Sequence, residues 1–536
     1  MRKNEKFIGK CENYTYQGLG VVKYEGQPVF VKDMLEGEMG EIVITKVLKN
    51  YAFGRCLQLL KSSRERVEPR CLIYKQCGGC QLSHMSKQAQ KAFKRQRVQD
   101  CITRIGKIEL EVEDVLSMED PYHYRNKGQV PVGMKDDQVI CGFYRIHSND
   151  IIDMNECLIQ HPLINEMVQI IKAQLQKYQI GSYFRHLLIK VGFESKEMMV
   201  VLIVREEKIP HLEELVQVIC QQEYVKSVIM NLNQRNDNVI LGDKETLLYG
   251  KSTIQDTLMG LKFNISSKSF YQVNPIQTCV LYEKAVEFAN LTGKETVLDL
   301  YCGIGTISMF MAKKAKHVIG IEIVEDAIKD AKKNALLNQI DNVEFVCSDA
   351  GTFASEIAKN NQHLDVICVD PPRKGCDQKT LESILKMSPQ RIVYVSCDPA
   401  TLARDLYFLS QNGYEVKKVQ PVDMFPQTTH VETVAVLSRK SATKTFIPVT
   451  VSPKDMGLDE AKVQPTYENI RKYVKETHGL TVSTLNIAQM KAECGLEMEC
   501  DRSGGKQQPK CPPEKREAIL DAFRHFGMIE DDSSEG

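Results

Sequence analysis

The sequence predicts an α/β protein. A doubly wound parallel sheet at residues 261–440 is preceded by a small β-barrel (1–62) and a central α+β domain (63–260), and followed by a helical extension (465–536). Three observations support this. From residue 261, apolar runs such as VLDL, HVIGIEI and VICVD each lead into a loop and then a helical pattern, the order of a parallel sheet wound by crossovers. Residues 1 to about 60 instead hold short alternating runs, GVVKYEGQPVFV, GEIVITKVL and YAFGRCLQLL, cut by Gly, Pro, Asn and charged turns, as in a small antiparallel barrel. A chain of 536 residues also exceeds what one core supports, and its length suggests about three or four domains.

The remaining elements follow in order. Residues 61–110 hold a cysteine cluster and then KQAQKAFKRQRVQDCITRIGK, a strongly basic helical pattern. Between 111 and 260, strand-like HLLIKVGF and EMMVVLIV alternate with helical INEMVQIIKAQLQKY, an α+β layer. SRKSATKTFIPVTVSPKDMGLDE reads as a linker. After it, PTYENIRKYVKETHGLTVSTLNIAQMKAECGL reads as helix, Gly turn, helix: a packed helical pair, or a helix-turn-helix that touches nucleic acid.

A hydrophobic fraction of 43% and a charged fraction of 26% describe an ordinary core-forming protein. No apolar run approaches the roughly 18 residues of a membrane span, and MRKNEKFIGK lacks a signal peptide's apolar segment, so a cytoplasmic protein is expected. Eighteen cysteines in that compartment read as thiols and metal ligands rather than disulfides. The net charge of zero conceals an asymmetry: residues 1–110 hold 21 Lys and Arg against 11 Asp and Glu. A basic front end favours a polyanion, whose contacts release counterions; a solvated basic face is the plain alternative. No protein partner is indicated, and a monomer is expected.

In ETVLDLYCGIGTISMF the strand VLDL runs into Gly303 and Gly305 before a helix, and the next strand ends at Glu322. Such glycines let a ligand approach backbone amides, and an acid some twenty residues on can accept from both ribose hydroxyls. The loop reads DLYCGIGT rather than GxGxxG, which resembles the S-adenosylmethionine site of class I methyltransferases more than a dehydrogenase. In VICVDPPRKGCD, Asp370 leaves a buried strand and two prolines stiffen the turn. An adenine methyltransferase would carry an aromatic where Arg373 stands, and a cytosine-5 enzyme a Pro-Cys pair on this loop; neither pattern fits.

VYVSCDPATLARDL places Cys397 at a strand end, with Asp398 as cap and Pro399 in the first turn of the next helix. Taken alone the thiol is more often buried filler. Methylating carbon 5 of uracil, however, needs a thiolate that adds to carbon 6 and a base that removes the proton from carbon 5. Cys397 and Glu432, in HVETVAVL, supply that pair; His430 reads as structural.

SFYQVNP, DLYCGIGT, DPPRKG, YVSCDPATLARDL and HVETVAVL, spanning residues 268–438, resemble in order and spacing the RNA uracil-5-methyltransferase family. The resemblance implies Cys397 as nucleophile and Glu432 as base. It also implies that Gln272, Tyr301, Gly303, Glu322 and Asp370 hold S-adenosylmethionine and that Phe270 stacks near the target base. Arg373 is then expected on the RNA backbone. The family usually has Asn after the nucleophile, and here Asp398 stands there. A target uridine must be turned out of its stack, so a single-stranded or looped site is expected.

CLIYKQCGGC, with Cys71, Cys77 and Cys80, has a metal-ligand spacing, and Cys157 follows in NECLIQHP. Spacing does not choose between zinc and iron. The set resembles the four-iron, four-sulfur (4Fe-4S) site of the family's ribosomal branch, and the front barrel resembles a TRAM domain, an RNA-binding module of the same branch. Together they imply 23S ribosomal RNA as substrate, with transfer RNA second. A non-catalytic iron–sulfur RNA-binding protein is the reading from another class. Cys494, Cys500 and Cys511 have no convincing ligand spacing.

Overall fold

Alternating burial organises the N-terminal strands. In β1 (Lys6–Tyr14) the buried positions are Phe7, Gly9 and Cys11. With β2 (Gly20–Tyr24), β3 (Gln27–Val31), β4 (Met39–Val47) and β5 (Ala52–Lys61) it closes a barrel in the order β1-β2-β3-β5-β4. Val22, Val29, Ile42 and Ile44 fill it. Glu25 and Gly26, at φ +49° and +76°, make the β2–β3 turn with the two left-handed residues that a two-residue hairpin needs. The computed structural model describes residues 1–359, 363–440, 466–496 and 511–529, in two compact units within Met1–Ser441 and Ala442–Gly536.

The basic helix α1 (Lys87–Arg104) is less free than its composition suggests. Val98 and Ile102 join a core shared with the doubly wound sheet. Its polar groups turn onto the segment 423–429: Lys94 pairs with Asp423 and donates to the Phe425 carbonyl at 3.0 Å, and Arg97 donates to the Thr429 carbonyl. Gln90 bonds Gln427 twice, at 3.2 and 3.0 Å. A buried cation such as Lys94 must be paired where it lies, and Asp423 does that.

The central domain is a seven-stranded sheet of β6 (Lys127–Lys135), β7 (Gln138–Tyr144), β8 (Ile151–Asp153), β9 (Phe184–Val191), β10 (Met198–Val204), β11 (Val225–Leu232) and β12 (Lys244–Gly250), ordered β12-β11-β10-β9-β6-β7-β8. Every residue of β9 and β10 is buried. One face meets α2 (Pro162–Lys177) and α3 (Leu212–Cys220). The other meets the hairpin of β13 (Thr253–Leu258) and β14 (Leu261–Ser266). Double coverage is why EMMVVLIV is apolar without alternation.

From α4 (Pro275–Ala289) the chain winds a second seven-stranded sheet. Its elements are β15 (Thr296–Leu300), α5 (Thr306–Ala312), β16 (His317–Glu322), α6 (Glu325–Leu337), β17 (Val343–Cys347), α7 (Ala350–Lys359), β18 (Val366–Val369), α8 (Gln378–Met387), β19 (Arg391–Ser396), α9 (Pro399–Gln411), β20 (Tyr414–Val422) and β21 (Glu432–Arg439). The order is β17-β16-β15-β18-β19-β21-β20, the first five strands parallel and β21 antiparallel to both neighbours. Alternate residues serve opposite layers: Val297, Val366 and Val393 face α4–α6, while Leu298, Ile367 and Ile392 face α7–α9 and α1. The strand order reverses between β15 and β18, where open sheets of this kind bind ligands.

In the second unit, α10 (Tyr467–His478), α11 (Thr484–Glu493) and α12 (Pro513–His525) enclose a core of Ile470, Val474, Ile487, Met490, Ile519 and Phe523. Gly479, at φ +67°, ends α10 as the Gly turn predicts. α12 adds a third helix to the pair the sequence predicts; Cys500 and residues 441–460 of the linker lie outside the described residues. Among the described residues, no helix is long and apolar enough to cross a membrane.

Candidate active site

Sheet register brings three reactive side chains together. The last pairs of the central strands are Leu300↔Val369, Val369↔Tyr394 and Ser396↔Thr433. One step further out stand Asp370, Cys397 and Glu432, the last two directly following the final pair of the antiparallel strands. Cys397 is half-buried and Glu432 only 4% exposed. Burial, then the carboxyls of Glu432 and Asp370, push the Cys397 thiol up to about 11, and Arg373 opposes them. Burial, then Asp370, raises Glu432 to about 8, and Arg373 again lowers it. Arg373 is thus the cation that favours ionisation of both.

Helix α9 fixes these groups. Asp398 caps it, accepting from the Ala400 and Thr401 amides at 2.9 and 3.1 Å, so the Asp at this position serves the local geometry. The same helix clamps the turn after Asp370. Thr401 Oγ1 donates to the Arg373 carbonyl at 3.2 Å, and Arg404 Nη2 to the Lys374 and Cys376 carbonyls at 3.0 and 3.2 Å. Asp405 accepts from the Cys376 amide at 2.9 Å and the Tyr394 hydroxyl at 2.6 Å.

The loop after β15 carries three left-handed residues, Tyr301, Gly303 and Gly305. A Cβ on Gly305 would come within 2.5 Å of Phe345, whereas one on Gly303 would meet nothing within 4 Å. Gly303 therefore borders open space, beside Glu322. That carboxylate is held by three amides, of Gly303 (3.2 Å), Ile323 (2.8 Å) and Val324 (3.0 Å), and is followed by the two exposed aliphatics Ile323 and Val324. Asp299, wholly buried, accepts from Ser308 through Oδ2, while its Oδ1 has no hydrogen-bond partner among the described residues. Burial raises Asp299 to about 7, and burial with the Asp299 charge does the same to Asp370. An acid beside apolar side chains suits a nucleoside, and an unsatisfied buried carboxyl oxygen suits an amino group.

The Tyr301 ring packs into the α7–α9 layer, so its backbone rather than its ring borders the glycine loop. The Gln272 carbonyl accepts from Asn126 Nδ2 at 3.0 Å, and its side-chain amide makes no hydrogen bond among the described residues. Phe270 is 64% exposed. The loop that presents it is fastened from the central sheet by Lys190 Nζ, which donates to the Ser266 and Ser269 carbonyls at 2.7 and 2.9 Å.

Cys71, Cys77, Cys80 and Cys157 line a single cavity of about 420 Å³, shared with Arg373 and His430. Burial raises the Cys77, Cys80 and Cys157 thiols, and neighbouring thiols of the set add to it. Among the described residues, no group of three or more His, Cys, Asp or Glu is drawn close enough to hold a metal ion.

Sequence reasoning missed Lys190, Asn126 and the Arg404–Asp405 clamp. The clamp lay in plain view within TLARDL, where two charges flank a helix that must cover a sheet. Lys190 and Asn126 gave no local signal, because they act on a loop about 80 and 150 residues further along.

Residues 86–440 match the family model described as tRNA (Uracil-5-)-methyltransferase. An RNA methyltransferase of Halalkalibacterium halodurans is 49% identical over 451 residues, covering 82% of this chain and 98% of that protein. One of Clostridium tetani is 46% identical, covering 82% and 97%. The crystal structure of Pyrococcus abyssi tRNA (uracil-54, C5)-methyltransferase in complex with S-adenosyl-L-homocysteine superposes with a TM-score of 0.65 at 27% identity, over 80% of this chain and 100% of that one. The chain belongs to the tRNA (uracil-5-)-methyltransferase family, and it is an S-adenosylmethionine-dependent RNA (uracil-5-)-methyltransferase.

Proposed function

We propose that Cys397 is the nucleophile and Glu432 the base, acting on a uridine of 23S ribosomal RNA. The observation that carries the roles is that Cys397 and Glu432 each stand one step beyond the last strand pair, Ser396↔Thr433, with the Glu432 charge acting on the Cys397 thiol. The Cys397 sulfur adds to carbon 6 of the uracil, and the ring electrons move through carbon 5 onto oxygen 4. Carbon 5 then takes the methyl group that S-adenosylmethionine supplies from its sulfonium. Glu432 removes the remaining proton from carbon 5, the ring double bond re-forms, and the Cys397 sulfur leaves. Arg373 favours the ionised forms of both residues, and its exposure also suits a contact with the RNA backbone.

The donor would be held by Glu322 at the ribose, by Ile323 and Val324 beside the adenine, and by Gly303, Asp370, Gln272 and the Tyr301 backbone along the amino-acid portion. The open space at Gly303 and the unsatisfied Asp299 oxygen support that assignment. Phe270 would stack near the flipped base.

Cys71, Cys77, Cys80 and Cys157 would have to draw together to hold a 4Fe-4S cluster, since as placed they are too far apart for a metal ion; zinc is the alternative for the same four thiolates. Their common cavity supports the assignment. Such a group supplies a cross-link between the 71–80 segment and the Cys157 loop; methyl transfer itself needs no electron. Visible absorption with iron, sulfide and zinc analysis separates the two.

The TRAM-like barrel, the basic front end and the cysteine set support ribosomal RNA. Transfer RNA is the second reading, favoured by the Pyrococcus abyssi relative, whose whole length corresponds to 80% of this chain. Labelled methyl transfer to unmodified 23S ribosomal RNA and, separately, to unmodified transfer RNA decides. 5-Methyluridine in the ribosomal RNA supports the proposal; label confined to transfer RNA replaces the substrate and keeps the mechanism.

A further inference from the structure

A second cavity of about 420 Å³ lies between the barrel and α1, apart from the cysteine-lined one. Its apolar side is built from Tyr14 and Phe93, in edge contact at 5.6 Å, and from Tyr16, which is 68% exposed on the loop after β1. An aromatic left this exposed beside a concavity, with no ring stacked on it among the described residues, is a stacking platform. The polar side carries Glu36, Glu65 and Asp100, and one cation, Arg97. Arg97 ties the cavity to the catalytic face: it donates to the Thr429 carbonyl, three residues before Glu432, and its charge faces Asp398 and Tyr16.

We propose that this cavity is a nucleobase subsite, taking one base of the same RNA strand that delivers the target uridine to Cys397. This rests on the reading that the chain acts on uridine in RNA. Flat aromatic faces bind bases by stacking and tolerate many sequences. Glu65 already accepts from Ser86, and Asp100 from Gln96 at 2.9 Å, each through one oxygen; the remaining oxygens and Glu36 disfavour a phosphate and accept from an exocyclic amine, so the subsite takes a base that carries one, such as adenine, in preference to uracil. The bound neighbour holds the strand while the uridine is turned out.

The test compares binding of the full chain to a single-stranded 12-nucleotide oligouridine and to the same strand with one central adenosine, by fluorescence anisotropy. The native protein is expected to bind the adenosine strand more tightly. Tyr16→Ala should weaken that strand about tenfold, within the range of one stacked base, and shrink the difference between the two strands. Tyr16→Phe should restore it, and Asp100→Asn should narrow the preference while stacking persists. Tyr16 is exposed, so folding should survive, and unchanged S-adenosylmethionine binding checks this. Equal affinity of Tyr16→Ala and native protein for the adenosine strand overturns the subsite. Equal affinity of the native protein for the two strands also overturns the subsite, whereas absence of methyl transfer to both RNAs in the assay above fails the substrate reading on which it rests, independently of either strand.

Discussion

β10 of the central sheet is buried at all seven positions and β19 of the doubly wound sheet at five of six, yet only β19 leads directly into a candidate nucleophile. The difference is in the neighbours. β10 shares its direction with β11 alone among the strands around it, and β9 and β12, flanking that pair, run the other way, so the ends around it point both ways. β15, β18 and β19 run parallel and β21 begins where they finish, so Asp370, Cys397 and Glu432 converge on one edge. Equal burial with different direction gives one sheet a reactive edge and the other a supporting role.

The largest test of that contrast is Cys397→Ala. Removing the sulfur removes the addition to carbon 6, and methyl transfer should fall by at least about 10⁴-fold, while RNA binding and the melting temperature stay near native. Substantial turnover by the variant would assign the nucleophile elsewhere.

Glu432→Gln should lower multiple turnover by about 10²- to 10⁴-fold and accumulate a covalent protein–RNA adduct, visible as a shifted band on denaturing gels. Methylation of the trapped base with no release is the expected product; release at the native rate would remove Glu432 as base. The pH dependence has a definite sign. A carboxyl raised to about 8 is protonated below that value, so turnover should rise with pH through about 8. For stability, the unfolded carboxyl ionises near 4.5 and the folded one near 8, so this group's stabilising contribution is present below 4.5 and lost as pH rises to 8. Glu432→Gln should therefore melt a few degrees above native at pH 8.5, by calorimetry, and lose that advantage at pH 4.5.

A smaller effect is expected from the clamp on the Asp370 turn. Asp405→Asn weakens the acceptor for the Cys376 amide and the Tyr394 hydroxyl, which loosens the backbone beneath Arg373. The loss in kcat/KM should be about tenfold to a hundredfold, with most of it in kcat, because the reacting groups rather than the binding surfaces are displaced. A pure stability loss with native kinetics would make the clamp structural only.

These groups differ in how visible they are in the sequence. Cys397, the glycine loop and Asp370 each follow a short apolar run and precede a turn, and a strand end marks itself by that change of pattern. Glu432 was visible only because the reaction requires a base. Two cations of α1 are less exposed than composition suggests, for a reason of packing: Asp423 draws Lys94 inward and the Thr429 carbonyl draws Arg97. Lys190 and Asn126 were invisible because an apolar strand with one Lys looks like any edge, and their partners come much later in the chain.

Lys190 offers the finest test of the opening contrast, since it is where the central sheet reaches the catalytic face. Its Nζ donates to the Ser266 and Ser269 carbonyls and thereby fixes the loop that presents Phe270 and leads to Gln272. Lys190→Met keeps the stem and removes both donors, leaving two carbonyls to find water or each other. The native loop geometry should become one of several, and the KM for RNA should rise about tenfold while kcat stays within about threefold, because Cys397 and Glu432 sit on other elements. Lys190→Arg, which retains donors on a longer head, should recover part of the loss. A matching fall in kcat would mean that the central sheet also positions the reacting groups, and the division between reactive edge and supporting sheet would have to be redrawn.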